Sequence, residues 1–294
     1  GIVDVEVDVL GNLIARVGEG DPRVALMAHM DEVGLIVKYV NDKGFAFFEA
    51  IGGLDARSIL GQVVVVYGSG PRLSGKSVEE RRLYGVVGLK PVHVLTEEEK
   101  RRVPLVKELF IDLGFKDKGE ALEYVRPGDP GHPHKSFTRV PGPWSPLVSC
   151  RALDDRAGCA SLVRAAQILV EEAKASCYLV FTSQEEVGLR GARTVAYTLH
   201  ERGVRDLIVV DVTHAAGYPG FELKENPVEL GKGPAVSLGP PVNTGLSRKL
   251  IEVAEEGGIP YQVEPSTGRT RTDLDVAQLA RTGLRTTLVS VPLR

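Results

Sequence analysis

The 294-residue sequence predicts an α/β fold: a mixed, largely parallel sheet flanked by helices, interrupted by an inserted β-rich, barrel-like block. Two observations predict it. From about residue 147 onward, short apolar runs alternate with segments of helical spacing, as in strand–helix units on a parallel sheet. Between about 39 and 146, β-rich runs succeed one another across Asn/Asp/Gly turn signals, as in a small barrel or sandwich. This reading divides the chain into 1–38 with 147–294, and 39–146.

Each element follows from its local pattern. Val24 to His29 is a short apolar run of the kind buried in a parallel sheet. Val33 to Val40, Phe45 to Ile51, Gln62 to Tyr67 and Tyr84 to Leu89 are the β-rich runs of the inserted block. Thr96 with Glu99 gives a capping box, which predicts a helix running toward Leu113. Arg126 to Pro146, rich in Pro, Gly and His, reads as a loop. Asp155 to Ala173 is helical, with Ala160, Leu162, Val163, Ala166 and Leu169 at helical spacing. Cys177 to Thr182 and Leu207 to Val212 are buried strands, and Gly191 to Arg202 is a helix. Leu246 to Glu256 and Leu274 to Arg281 read as helices, and Thr286 to Val291 as a last strand. Sheets of this kind place ligand sites at the carboxyl ends of their strands.

Composition narrows the function classes. Hydrophobic residues make up 43% and charged residues 26%, and net charge is −3, ordinary for a globular protein. No Lys/Arg run suggests nucleic-acid binding, and no apolar stretch suggests a membrane span. Cys150, Cys159 and Cys177 lack metal-ligand spacing; small buried hydrophobes in a reducing compartment is the reading, so the expected location is cytoplasmic.

Four chemistry-bearing segments fall where an apolar run stops or a helix begins. His29-Met30-Asp31 ends the first run, and residues i and i+2 share a strand face, so Asp31 can orient a metal-binding His29. Alone, the motif fits a core histidine with a partner better. Asp154-Asp155 opens the long helix, where one carboxylate can cap the helix or reach into a cleft and bridge two ions. Glu185-Glu186 follows a buried strand; unless the pair is a solvated turn, burial requires compensating cations. Adjacent residues point apart, so one can bind metal while the other faces substrate as a base. Asp211 follows four apolar residues and is a candidate ligand, while His214 is open between structural and substrate-facing roles. Together these ends offer mixed nitrogen and oxygen donors, which suit zinc, cobalt or manganese, and a bridging carboxylate suits an ion pair about 3.5 Å apart.

These residues, in this order, resemble the dinuclear-metal aminopeptidases of the tetrahedral (TET) and glutamyl or deblocking aminopeptidase family. The matching segments are 28–34, 51–53, 152–158, 184–188 and 211–215, with Gly231-Lys232-Gly233-Pro234 and Thr272-Asp273 also similar. The resemblance implies a zinc-peptidase-like domain with an inserted dimerisation domain. It implies that His29 and Asp211 hold one ion and Glu186 the other, that Asp154 bridges, that Asp31 orients His29, and that Glu185 is the general base. Two divalent ions per subunit are implied, zinc first among them. Peptides with a free N-terminus are the implied substrates, cleaved through a metal-bridged water, and dimers assembling into dodecamers are the implied self-association. The family's last metal ligand is a His just beyond Val291-Pro292-Leu293-Arg294, and its first helix lies ahead of Gly1. Both ends are expected to have been lost to truncation or disorder, and the Glu186 ion is expected to bind weakly in a chain of this length.

Alternatives within enzymes are a carboxypeptidase or deacylase with a similar ligand set, and outside them a non-catalytic assembly protein. Glu185 beside the ligands speaks against the latter. Residue preference lies in loops, for which Arg271 and His214 are the named contributors.

Overall fold

The computed structural model describes residues 2–20, 23–140, 147–172 and 176–294. Contacts divide the chain into two compact units, Gly1–Asp31 with Ala152–Arg294, and Glu32–Arg151.

The first unit begins with β1 (Ile2–Val7), β2 (Leu13–Val17) and β3 (Val24–His29). The second unit then contributes β4 (Gly34–Val40), β5 (Ala46–Ile51), α1 (Ala56–Ile59), β6 (Val63–Tyr67), β7 (Arg82–Gly88), α2 (Glu97–Arg101), β8 (Phe110–Asp112), α3 (Lys118–Leu122) and β9 (Pro130–Pro133). Its strands close a barrel in the order β4-β5-β8-β7-β6-β9. Strand alternation turns Leu35, Val37, Phe48, Val64, Val66 and Ile111 into its core. Two further strands, β10 (Thr138–Arg139) and β11 (Val148–Ser149), pair with each other.

The first unit resumes with α4 (Leu153–Glu172), β12 (Cys177–Thr182), α5 (Arg190–Glu201), β13 (Asp206–His214), β14 (Ala235–Leu238), α6 (Thr244–Glu256), β15 (Gln262–Pro265), α7 (Leu274–Ala277) and β16 (Arg285–Leu293). Among the described residues, eight strands form one sheet in the order β1-β2-β12-β3-β13-β16-β14-β15. Its centre is parallel: β12 on β3, β3 on β13 and β13 on β16. One face packs Met27, Val180 and Leu207 with Leu199 of α5 and Leu274 of α7. The other packs Ala28 and Leu179 with Leu162 and Ala166 of α4. The mixed sheet with helices and a barrel-like insertion is therefore the fold.

Three local expectations are corrected. The capping box at Thr96 forms, but its helix ends at Arg101. Pro104 lacks an N–H and holds Val103 extended, and beyond it the chain enters the barrel core at Leu109 and Ile111. Within the expected loop 126–146, Pro130–Pro133 closes the barrel against β4 and β6. A Cβ at Gly131 would lie 2.5 Å from the Val65 carbonyl oxygen, so this closure requires glycine. Residues 141–146 of that loop lie outside those described. The helix expected to reach Arg281 stops at Ala277, and Arg281 takes a left-handed conformation in a turn that Gly283 closes onto the Ala280 carbonyl.

Candidate active site

The parallel centre of the sheet brings the site together. His29 ends β3 and is paired in register with Thr182, the last residue of β12. Met27 pairs with Val209 of β13, so Asp211, two residues on, ends level with His29. The turn after β12 carries Glu185 and Glu186, and Asp154 and Asp155 lie at the start of α4. All six acidic and imidazole groups thus belong to the first unit.

The ring of His29 is the hub. Its Nε2 lies 3.0 Å from Asp154 Oδ1, 3.9 Å from Glu185 Oε2 and 3.9 Å from Asp211 Oδ1. On the other side, Nδ1 is 3.2 Å from the Asp31 carbonyl oxygen and 3.7 Å from its carboxylate, so Nδ1 can donate to the carbonyl and leave Nε2 lone-pair-first toward the acids. Among the described residues, His29, Asp155 and Asp211 offer ligand atoms within 4.8 Å of one another.

The two aspartates at the head of α4 diverge, and both roles open in the sequence are used. Their φ/ψ values are not helical. Asp155 is fully buried; its Oδ1 accepts from the Gly158 N–H as a helix cap, and its Oδ2 has no hydrogen-bond partner. Asp154 keeps half its side chain exposed while touching His29.

The Glu185–Glu186 turn is held from two directions. The Asp31 carboxylate accepts from the N–H of Glu185 (3.0 Å) and of Glu186 (3.1 Å), which couples the turn to the strand that carries His29. From behind, buried Asn12 accepts from Ser183 N–H at 3.0 Å and donates to the Gly191 carbonyl at 3.2 Å. A Cβ on Gly191 would stand 2.2 Å from the Asn12 amide oxygen, so α5 begins there only with glycine. Left-handed backbone at Ala152 and Gln184, unusual outside glycine, flanks both acidic pairs; such conformations concentrate at functional sites.

Burial without nearby basic side chains sets the electrostatics. Burial pushes Glu185 up to about 9, against the pull of His29, with Asp273, Asp211 and Glu186 adding to the rise. Burial likewise lifts Asp155 to about 8 and Asp211 to about 7, again against His29. For His29, burial lowers the affinity for a proton, but Asp154, Asp211, Glu185 and Asp155 together raise it to about 10. Negative charge is concentrated here with one imidazole to offset it, and a cation of higher charge is what such a cluster accepts best.

The M42 glutamyl aminopeptidase family model matches residues 11–294. The chain belongs to this family. It is therefore a peptide-bond hydrolase of aminopeptidase type. A lysyl aminopeptidase of Pyrococcus furiosus is 35% identical over 294 residues, which cover 99% of this chain and 79% of that protein. A TET aminopeptidase from the marine sediment archaeon Thaumarchaeota archaeon SCGC AB-539-E09 superposes with a TM-score of 0.86 at 30% identity, over 98% of this chain and 78% of that one. The TET1 peptidase of Pyrococcus horikoshii, described as able to assemble into a tetrahedron or a large octahedral shell, superposes with a TM-score of 0.79 at 33% identity, over 98% of this chain and 81% of that one. No helix among the described residues is long and apolar enough to cross a membrane.

Within this M42 chain, the site also contains groups given no role from sequence. Asp273 is almost wholly buried, with Oδ2 accepting from the Thr182 hydroxyl at 2.5 Å and Oδ1 without a partner. Burial lifts it to about 6. Cys159 donates its thiol hydrogen to the His29 carbonyl at 3.0 Å. Thr272-Asp273 stood out as a familiar pair, but only the fold puts Asp273 beneath the cluster. His214 is exposed at the end of β13, and its carbonyl accepts from Asn226.

Proposed function

We propose that this aminopeptidase removes N-terminal residues from peptides with two divalent ions held by His29, Asp154, Glu186 and Asp211, and with Glu185 as general base. The observation that carries the proposal is the convergence of these groups at the carboxyl edge of β3, β12 and β13, with buried carboxylate oxygens lacking partners. The donors fit such ions: one imidazole and several carboxylates, without a thiolate among the candidate ligands. Bound there, the ions would supply Lewis acidity toward the scissile carbonyl and lower the pKa of water. Zinc is the first candidate, with cobalt or manganese as alternatives.

Asp154 rather than Asp155 is assigned the shared position. A bridging carboxylate needs both oxygens free, and Asp154 is half exposed, whereas Asp155 spends one oxygen on the helix cap. Asp155 then adds negative charge beneath His29 and Asp211. Asp31 orients the His29 ring through its carbonyl and the base-bearing turn through its carboxylate.

Glu185 performs the proton transfers. Its buried carboxyl, with a raised proton affinity, takes a proton from the attacking water and delivers one to the departing amine. Glu186, next along, points its backbone N–H into the same Asp31 clamp. The barrel unit is assigned self-association into dimers, which build dodecamers, and the cytoplasm is the proposed location, consistent with three free cysteines.

Aminoacyl p-nitroanilides, N-acyl amino acids and C-terminally cleavable peptides form the test panel. Anilide hydrolysis that a chelator abolishes and zinc restores is the expected result. Release of amino acids from N-acyl substrates without anilide hydrolysis would make the chain a deacylase instead.

A further inference from the structure

We propose that Arg269 and Arg271 form a subsite for a substrate carboxylate beside the Glu185–Glu186 turn, a specificity element that rests on the aminopeptidase reading above. A hollow of about 300 Å³ is lined by Glu185, Glu186, Leu189, Arg269, Arg271 and Asp275. Two further hollows meet at the same loop, and Arg269 lines all three.

The charges in this hollow are unequally committed. Both oxygens of Asp275 are taken by the loop: Oδ1 accepts from the N–H and hydroxyl of Thr270, each at 2.9 Å, and Oδ2 from the Arg271 N–H at 3.0 Å. Glu264, which lines the adjoining hollow, accepts from Thr213 at 2.6 Å and Asn226 at 3.4 Å. Glu185 and Glu186 belong to the reacting centre. Among the described residues, neither the Arg269 nor the Arg271 guanidinium has a hydrogen-bond or ion-pair partner, and both are exposed to the hollow. Free cations facing spent anions select an anionic group.

The loop is built to hold that presentation. Arg271 sits in left-handed backbone (φ 62°), a strained conformation for a long side chain, kept in place by the Asp275 clamp and by the Thr270–Thr272 hydroxyl contact at 2.9 Å. Guanidinium groups match carboxylates in planar, two-bond geometry. For an exopeptidase substrate, that carboxylate is either the side chain of an N-terminal Glu or Asp, or the C-terminus of a short peptide.

The test separates these sources with isosteric pairs. Glu- against Gln-p-nitroanilide isolates the side-chain carboxylate, and Leu-Gly against Leu-Gly-amide isolates the C-terminus. One of the two kcat/KM ratios is expected to favour the carboxylate by about 10-fold or more, as a charge-assisted pair would supply. Arg271→Gln and Arg269→Gln each bring that ratio toward one, mainly through KM. Arg271→Glu shifts preference toward Lys-p-nitroanilide, a gain that a misfolded variant cannot give. Calorimetric binding of L-glutamate against L-glutamine provides a readout independent of turnover: arginine-dependent glutamate preference without peptide hydrolysis keeps the subsite and removes the proposed activity. Ratios near one in the unmutated protein, with both variants leaving them unmoved, overturn the subsite.

Discussion

Carboxylates meet opposite fates in the barrel and at the carboxyl edge of the sheet. On the barrel surface, Glu108 pairs with Arg102, Asp55 with Arg57 and Glu49 with Lys38. The Arg102 guanidinium and the Leu105 N–H hold Glu108 down at about 2. At the sheet edge, Glu185, Asp155 and Asp211 are buried around a single histidine, and burial pushes all three up. The barrel compensates its acids with its own cations in water, where such pairs contribute little to stability. The sheet edge leaves its acids for a cation that the sequence does not encode. The difference separates solubility from chemistry, although the residue types are the same.

Substitutions sharpen this contrast. Glu185→Gln is the largest expected effect: metal content and fold remain, while kcat falls by about 10²- to 10⁴-fold, the range for a general base. Undiminished turnover in this variant would remove Glu185 from that role. Next comes Asp154→Asn against Asp155→Asn. The first is expected to lower bound metal per chain, and the second to retain it while loosening the start of α4; atomic absorption after dialysis distinguishes the two, and the opposite order would exchange their roles.

The pH dependence of stability follows from the same burial. His29 has its affinity raised from 6.5 to about 10, so its contribution is fully present below 6.5 and lost as pH rises through 10. Glu185, Asp155 and Asp211 are also raised, from 4.5 or 3.8 to about 9, 8 and 7, so the folded state holds more protons than the unfolded one. Chelator-treated protein should therefore lose stability as pH climbs from about 4 to 10, whereas metal-loaded protein should lose much less. Parallel slopes in thermal melts of the two forms would count against the buried cluster as the cause. The smallest effect is reserved for the barrel: Glu108→Gln should leave peptide hydrolysis and metal content within measurement scatter.

Much of the site was legible because parallel strands are short apolar runs whose ends are sharp. Val24–His29, Cys177–Thr182 and the Leu207–Asp211 part of β13 announce themselves by composition, and the acids stand directly after them. Less legible were elements whose existence depends on partners far along the chain. Gln262–Pro265 is four residues long and becomes a strand by pairing with Ala235–Leu238, and Pro130–Pro133 looks like a turn until the barrel closes around Gly131. Asp273 follows no apolar run, so nothing local marks it; burial beside Thr182 does. Asn12 likewise reads as an ordinary turn residue near Gly11, although its amide joins the first hairpin to Ser183 and Gly191.

The most direct test of a cation-seeking site is calorimetric titration of zinc into chelator-treated protein, near neutral pH, in two buffers of different ionisation enthalpy. Saturable uptake approaching two ions per chain with net proton release is the predicted result, because the cation must displace the protons that His29, Glu185 and Asp155 hold. Uptake without proton release, or none that saturates, would contradict the account.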